Sequence, residues 1–315
     1  MKLLYPTSIK LNLETELKDQ QLTLVAYDPS VLIPDEHLDA TILVAWTNTA
    51  ANLQHAAQHM PNLRWIQSLA AGPNDVLGAG FDRARVTVTS GSGLHNRPVA
   101  EHALGLLLNA ARRFYEMRDY QAQKKWAGHL RGDPTHPAYM FSTLRGANVL
   151  VWGYGNIAKT LAPHLQALGA TVRGVARHPG TRDGVEVFAE DKLPELLRAT
   201  DALVMILPGS DATRHALNAE RLSHLREHAW VVNVGRGTSV DEAALVEALE
   251  KHQIGGAALD VFEEEPLPAS SKLWEAPNLI LSPHAAGNRP LGSEALIAEN
   301  LKLFQEGKTM TNTMP

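Results

Sequence analysis

The chain contains no cysteine in its 315 residues. Disulfides, thiolate metal sites and cysteine nucleophiles are therefore excluded. It has no apolar stretch of the roughly 18 residues that a membrane-spanning helix needs. The apolar core at Met1–Leu11 is too short for a secretory signal. Basic blocks are missing as well. The 29 Lys and Arg stand against 34 Asp and Glu, a formal net charge of −5, which argues against nucleic acid as a partner. No internal repeat of solenoid period and no low-complexity tract is visible. What remains, 44% hydrophobic and 20% charged, is the composition of a soluble globular protein. The expectation is a cytoplasmic protein of about two domains.

The most informative stretch is Val149-Leu-Val-Trp152-Gly153-Tyr154-Gly155-Asn156-Ile157-Ala158. An apolar run from Asn148 to Trp152 meets a glycine turn and then a helical pattern from Asn156 to Leu168. A second apolar run follows at Thr171–Ala176. Strand, glycine turn, helix and strand in that order form a dinucleotide site. Gly153 allows the tight turn, Gly155 lets the backbone approach a pyrophosphate, and Ala158 permits close packing of helix on strand. The phosphates would sit on the helix N-terminus, where amide N–H groups and the dipole favour negative charge.

Strand patterns before this motif fall at Lys2–Tyr5, Leu22–Tyr27, Ile42–Trp46, Trp65–Leu69 and Val86–Thr89, with a helix at Asn48–Met60. Such alternation implies a parallel sheet covered by helices. Ser90-Gly91-Ser92-Gly93 reads as a hinge. Pro98 stands where a helix can start, and the pattern runs on as one long helix from Val99 to Lys125. Its first half is so apolar that it must be buried, inside the domain or in a subunit interface. Gly128–Tyr139, with Gly132, Pro134 and Pro137, reads as a loop. Further strands are expected at 148–152, 171–176, 186–188, 202–207, 230–234, 256–261 and 278–282. The last helix, Gly292–Gly307, is expected to return to the N-terminal domain.

Ligands of open α/β sheets bind outside the carboxyl ends of the strands. Arg236, Asp260, Glu265 and His284 all follow such ends. A guanidinium binds a carboxylate or polarises a carbonyl through paired hydrogen bonds. An imidazole exchanges a proton near neutrality, and a glutamate beside it favours the charged form and fixes the tautomer. Beside a nicotinamide, these parts suit hydride transfer at a carbonyl carbon. Each has a plainer reading: Arg236 as a surface strand cap, Glu265 as part of the solvated run Glu263-Glu264-Glu265, and Asp260 as the start of a turn. Trp46 fits either a core or a pocket wall. His95 and His102 have no acidic or cysteine partner arranged around them, so no metal is expected.

Four motifs occur in order: Gly153-x-Gly155-x-Ile157; Asn233-x-x-Arg236-Gly237; Gly256-Ala257-x-x-Asp260-Val261-Phe262-x-x-Glu265-Pro266-Leu267; and Ser282-Pro283-His284. Together with Asn96-x-x-Val99-Ala100-Glu101-His102, they resemble the D-isomer-specific 2-hydroxyacid dehydrogenase family over roughly residues 65 to 287. The resemblance implies an α/β fold. A doubly wound parallel-sheet (Rossmann) domain, 96–287, would be inserted in a smaller flavodoxin-like α/β domain formed by 1–95 and 288–315. It implies that Arg236 binds the substrate's carboxylate and keto oxygen. His284 would be the acid/base, Glu265 its charged partner, and Ala71 and Gly72 amide donors to the carboxylate. Asp260 would contact the nicotinamide carboxamide. The cofactor set would further hold Gly153, Tyr154, Gly155, Asn156, Ile157, Leu207, Pro208, Thr213, Val234, Gly235 and His284. In one departure, Pro73-Asn74-Asp75 follows Gly72 where the family more often has a single residue before the aspartate, and Pro73 removes one N–H donor.

The activity implied is reduction of a small 2-keto acid by NAD(P)H to a D-2-hydroxy acid, with glyoxylate or hydroxypyruvate as substrate. A phosphoglycerate dehydrogenase-like enzyme is the rival within the class, against which a chain ending at Pro315 leaves no room for a regulatory domain. A cofactor-sensing corepressor-like protein is the rival outside it. For NAD, an acid is wanted about 20 residues past the glycine turn. That place holds Ala176, with Arg177 and His178 next and no carboxylate until Asp183, so NADP is the expected preference over NAD. A homodimer is expected through the apolar helix after Val99.

Overall fold

The computed structural model of the protein describes residues 1–18, 22–131 and 141–314. The chain forms two compact units, one of Met1–His95 with Arg289–Pro315 and one of Asn96–Asn288.

The first unit runs β1 (Lys2–Pro6), α1 (Leu13–Glu16), β2 (Thr23–Tyr27), β3 (Ile42–Ala45), α2 (Ala50–His59), β4 (Trp65–Ser68), α3 (Asn74–Gly78) and β5 (Thr87–Thr89). Its sheet is wholly parallel, in the order β2-β1-β3-β4-β5, the doubly wound order of a flavodoxin-like fold. Successive side chains of a strand point to opposite faces. Leu4 and Leu43 thus enter one core, while Leu3, Ile42 and Val44 enter the other. Ser90–Gly93, expected as a hinge, is hydrogen-bonded within the first unit. The Ser90 and Gly91 amides donate to the Asn312 and Ala70 carbonyls at 2.9 and 2.8 Å, and Asn312 Nδ2 donates to Ser92 O at 2.8 Å. Gly91 serves a close crossing of backbones, where a Cβ would lie 2.0 Å from the Leu69 carbonyl oxygen, and the division of the chain falls after His95.

The second unit begins with α4 (Asn96–Arg112) and α5 (Phe114–Ala122). The single helix expected to Lys125 breaks at Arg113, which is left-handed at φ 54, and Asn109 Oδ1 accepts the Tyr115 N–H at 2.8 Å across the break. Of the expected loop Gly128–Tyr139, Gly128–Leu130 forms one 3-10 turn, and Gly132–Tyr139 lies outside the described residues. There follow β6 (Asn148–Trp152), α6 (Asn156–Ala167), β7 (Thr171–Val175), β8 (Gly180–Arg182), β9 (Val185–Phe188), α7 (Leu193–Arg198), β10 (Ala202–Met205), α8 (Ala219–Leu222), β11 (Trp230–Asn233), α9 (Glu242–Glu250), β12 (Gly256–Leu259) and β13 (Leu279–Leu281). The sheet order is β13-β12-β11-β10-β6-β7-β9-β8, parallel throughout except for β8. Within it β9-β7-β6-β10-β11-β12 is the Rossmann arrangement. β8 was not foreseen, because three exposed or half-exposed residues carry no apolar alternation. Val149 and Val151 of β6 enter one core, and Leu150 and Trp152 enter the other. Each fully buried side chain of this size contributes roughly 1.5–3 kcal/mol. The last helix, α10 (Ser293–Gln305), returns to the first unit, where Leu296, Ile297 and Leu301 pack with Leu3, Ile42 and Trp65.

At the amino edge of the second sheet, Asp201 Oδ2 accepts the Asn148 N–H at 2.7 Å. Its Oδ1 accepts from Arg226 Nη1 at 2.7 Å and His228 Nε2 at 2.8 Å. Burial raises the Asp201 pKa, but these bonds outweigh it and the net shift is downward. A depressed carboxyl stabilises the fold above its unfolded value of about 3.9 and loses that contribution as pH falls through the folded value. Asp201→Asn is expected to lower stability by about 2 kcal/mol at neutral pH. The deficit should narrow below about pH 4. Denaturant unfolding at both pH values checks this, and a deficit independent of pH would refute the charge argument.

Candidate active site

The glycine turn follows β6 directly. Gly153 has φ +98, and a Cβ there would lie 2.4 Å from the Ile206 carbonyl oxygen, so the protein's own packing demands glycine. Gly155 differs. It caps α6 in an extended conformation, and an added Cβ would meet nothing within 4 Å. Nothing inside the protein requires its missing side chain. The open space above it, at the N-terminus of a helix, fits the close approach of a pyrophosphate. Asn156 and Ile157 form the first turn of α6, and Ala158 is fully buried where the helix meets the sheet.

Tyr154, expected among the cofactor residues, departs from that role. Its ring is 1% exposed and lies in the core against Gly174. Its N–H donates to Val175 O at 3.1 Å, and its carbonyl accepts from Arg182 Nη1. Tyrosine is there to fill the space under β7. Arg182 also donates to the His178 carbonyl at 2.5 Å, tying the glycine turn to the loop that carries the exposed Arg177 and His178. Nothing in the sequence singled out Arg182, because it stands on the unforeseen β8. Ala176 is half-buried, its N–H donating to Phe188 O at 3.0 Å.

Leu207, Pro208 and Thr213 lie in the turn after β10, where Thr213 Oγ1 donates to Pro208 O at 2.6 Å and accepts from the Ser210 N–H at 3.0 Å. After β11, the buried Asn233 staples Val234–Arg236. Its Oδ1 accepts the Gly235 N–H at 3.1 Å, and its Nδ2 donates to Arg236 O at 3.1 Å. The Arg236 guanidinium is half-buried and folds back on Gly235 O at 2.8 Å.

Past β12 comes Asp260, with no exposed surface. Its Oδ1 accepts from Ser282 Oγ at 2.6 Å and the Ala285 N–H at 2.9 Å, and Oδ2 accepts the Ala286 N–H at 3.0 Å. His102 Nε2 stands 3.2 Å from Oδ1. Burial raises the Asp260 pKa, but these four hydrogen bonds, His102's foremost, bring it below the usual range. Asp260 is thus first an internal anchor. The expectation that His102 has no acidic partner is corrected. Its partner is far away in sequence and met only through folding.

Past β13, His284 Nδ1 lies 2.6 Å from Glu265 Oε2, and the Phe262 N–H donates to Glu265 Oε1 at 3.0 Å. Glu265 is therefore a paired residue rather than one member of a free acidic run, although both it and His284 are exposed. With a carboxylate on Nδ1, that nitrogen holds a proton and Nε2 is left to exchange one. A cavity of ≈ 670 Å³ adjoins the pair, walled by Phe262, Leu267, Trp274 and Pro283. Since β11, β12 and β13 are parallel neighbours, Arg236, Asp260 with Glu265, and His284 leave the same edge of the sheet.

In the first unit, Ala71 is exposed and Gly72 half-exposed after β4, while Pro73 is buried. Gly72 lines a cavity of ≈ 210 Å³ with Trp46, Asn48 and Ser68. Trp46 is half-buried, is stacked on His95 at 5.6 Å and also packs against the core, which joins its two readings. His95 Nε2 donates to Leu69 O at 2.7 Å. Among the described residues no group of three or more His, Asp or Glu is placed to hold a metal ion, and no helix is long and apolar enough to cross a membrane.

A doubly wound nucleotide sheet with a histidine–glutamate pair and an arginine at its carboxyl edge defines an α/β oxidoreductase. Residues 104–286 match the family described as D-isomer specific 2-hydroxyacid dehydrogenase, NAD binding domain. A glyoxylate reductase of Aeropyrum pernix is 35% identical over 257 residues, covering 80% of this chain and 76% of that one. The crystal structure of a D-isomer specific 2-hydroxyacid dehydrogenase family protein from Aeromonas salmonicida superposes with a TM-score of 0.84 at 29% identity, covering 100% of this chain and 98% of that one. A D-isomer specific 2-hydroxyacid dehydrogenase from Xanthobacter autotrophicus, in complex with NADPH and MES, has a TM-score of 0.78 at 28% identity and covers 100% and 97%. The chain belongs to the D-isomer-specific 2-hydroxyacid dehydrogenase family of NAD(P)-dependent oxidoreductases.

Proposed function

We propose that the protein is a cytoplasmic reductase of small 2-keto acids, glyoxylate or hydroxypyruvate, yielding the D-2-hydroxy acid, with NADPH preferred over NADH. The observation that carries this reading is the His284 Nδ1–Glu265 Oε2 contact of 2.6 Å at the strand edge shared with Arg236. The glyoxylate reductase from Aeropyrum supports the substrate class, and the NADPH complex from Xanthobacter supports the cofactor.

The second unit is the dinucleotide-binding domain in this reading, with Gly155, Asn156 and Ile157 at the pyrophosphate. Leu207, Pro208, Thr213, Val234 and Gly235 line its carboxyl edge. A bound reduced nicotinamide supplies the hydride. Arg236 turns its fork of donors to the substrate's carboxylate and keto oxygen, orienting the carbonyl and drawing charge onto its oxygen. His284 Nε2 gives its proton to that oxygen, so the carbonyl gains a hydride at carbon and a proton at oxygen. Glu265 holds Nδ1–H, fixes the tautomer and stabilises the imidazolium that donates. In the first unit, Ala71 and Gly72 offer backbone N–H groups suited to a carboxylate.

His284→Ala is expected to lower kcat by ~10²–10⁴ while leaving the Kd for NADPH nearly intact. A variant keeping more than about half of the wild-type kcat would remove His284 from the role of acid.

Cofactor choice rests on the loop after β7. Ala176 offers no carboxylate to a ribose hydroxyl, and the exposed Arg177 presents a guanidinium to a 2′-phosphate, with the exposed His178 beside it. Arg177→Ala is expected to weaken NADPH roughly ten- to hundred-fold and NADH little, the loss of one charge-assisted hydrogen bond. Equal kcat/KM for the two cofactors in the wild type would contradict the preference.

We further propose a homodimer. α4 spends Val99, Ala103, Leu107 and Ala110 on the core of its own unit. Leu104 and Leu108 remain half-buried, and Phe114 and Trp126 are 52% and 86% exposed. Exposed apolar side chains beside this helix support the reading of an interface. Sedimentation at micromolar concentration is expected to give twice the chain mass, and a single-chain mass would contradict the dimer.

A further inference from the structure

His102, on α4, touches two groups that the motif after β13 brings together. Its Nε2 lies 3.0 Å from Ser282 Oγ and 3.2 Å from Asp260 Oδ1. The Ser282 hydroxyl spends its one proton on Asp260 Oδ1, at 2.6 Å, so it accepts from His102. His102 therefore carries its proton on Nε2 and shares it between two oxygens.

Those oxygens control the turn that presents His284. The Asp260 carboxylate takes the Ala285 and Ala286 amides at 2.9 and 3.0 Å, and the Asp260 carbonyl takes the His284 amide at 2.8 Å. His284 itself sits at φ 50, in the left-handed region that a residue with a Cβ adopts only when its surroundings impose it. The histidine of the Glu265 pair is thus held from both sides by one buried aspartate, and that aspartate is held from behind by His102.

We propose that His102 is a positioning residue. Through Ser282 and the Asp260 carboxylate it keeps the Ser282–Ala286 turn in the one conformation that aims His284 at its substrate. The competing account is a histidine that only satisfies a buried anion and so contributes to stability alone. The proposal rests on the reading of His284 as the proton donor.

The test uses the full chain with glyoxylate and NADPH, and the variants His102→Ala, His102→Asn, His102→Gln and His284→Ala. Steady-state kinetics, the Kd for NADPH and the Tm are read for each. His102→Ala is expected to lower kcat about ten-fold, the cost of a modest misplacement of a reacting group. KM for glyoxylate and Kd for NADPH should stay within about two-fold. Gln, whose amide N–H reaches the same oxygens, should recover most of kcat, and the shorter Asn should not. If the Ala variant fails to fold, the Asn–Gln difference in kcat decides. A kcat unchanged in Ala or Asn while only Tm falls would overturn the proposal. So would a loss appearing mainly in the Kd for NADPH, or a Gln variant no better than Asn. Failure of the His284 reading shows separately, as activity surviving in His284→Ala.

Discussion

The fold of the second unit converges on one buried anion. Asp260 has no exposed surface, and an isolated carboxylate cannot be carried into that environment unless its charge is met by donors. It is met by a serine hydroxyl, two backbone amides and a histidine, drawn from the segment after β13 and from α4. Removing any of them leaves a charge short of partners in a place water does not reach, which is far costlier than the net worth of one bond. The turn after β13, and His284 with it, is thereby joined to the first helix of the unit and to the end of β12.

Direction in the sheet supplies the rest. Because β10, β11, β12 and β13 run parallel to β6, the segments following them all emerge at one edge. The nucleotide turn, Arg236, the Asp260–Glu265 segment and His284 are brought there by topology alone, though more than a hundred residues separate the first from the last. Parallel strands buried on both faces require helical crossovers, so the same constraint that assembles the site also builds the two cores of the unit.

Much of this was legible in the residues. The strand–glycine–helix pattern at Asn148–Leu168 is local, because an apolar strand, a glycine turn at positive φ and a helical period follow one another within twenty-one residues. Apolar runs bounded by turn residues located nearly every strand, since a buried parallel strand must be continuously apolar. Local patterns misled in three places. Tyr154 stood in a cofactor motif yet faces the core, because Gly174 on the neighbouring strand leaves a hollow that the ring fills. Ser90–Gly93 had the composition of a hinge, yet its Ser90 and Gly91 amides are taken by distant carbonyls. The helix from Val99 kept its period through Arg113, where one left-handed residue ends it.

The amino-acid sequence by itself determined the class of fold, the nucleotide turn and the residue types at the strand ends, because each is written in short-range periodicity and in residues with few alternatives. The pairing of Glu265 with His284 was implied by the motifs, whereas only the tertiary structure decided the others: His102 with Asp260 and Ser282, and Arg182 with Tyr154 and His178. Charge partners are chosen by proximity in space. No period or spacing encodes that a histidine on α4 will meet an aspartate beyond β12, since that distance exists only once the sheet has set its strand order.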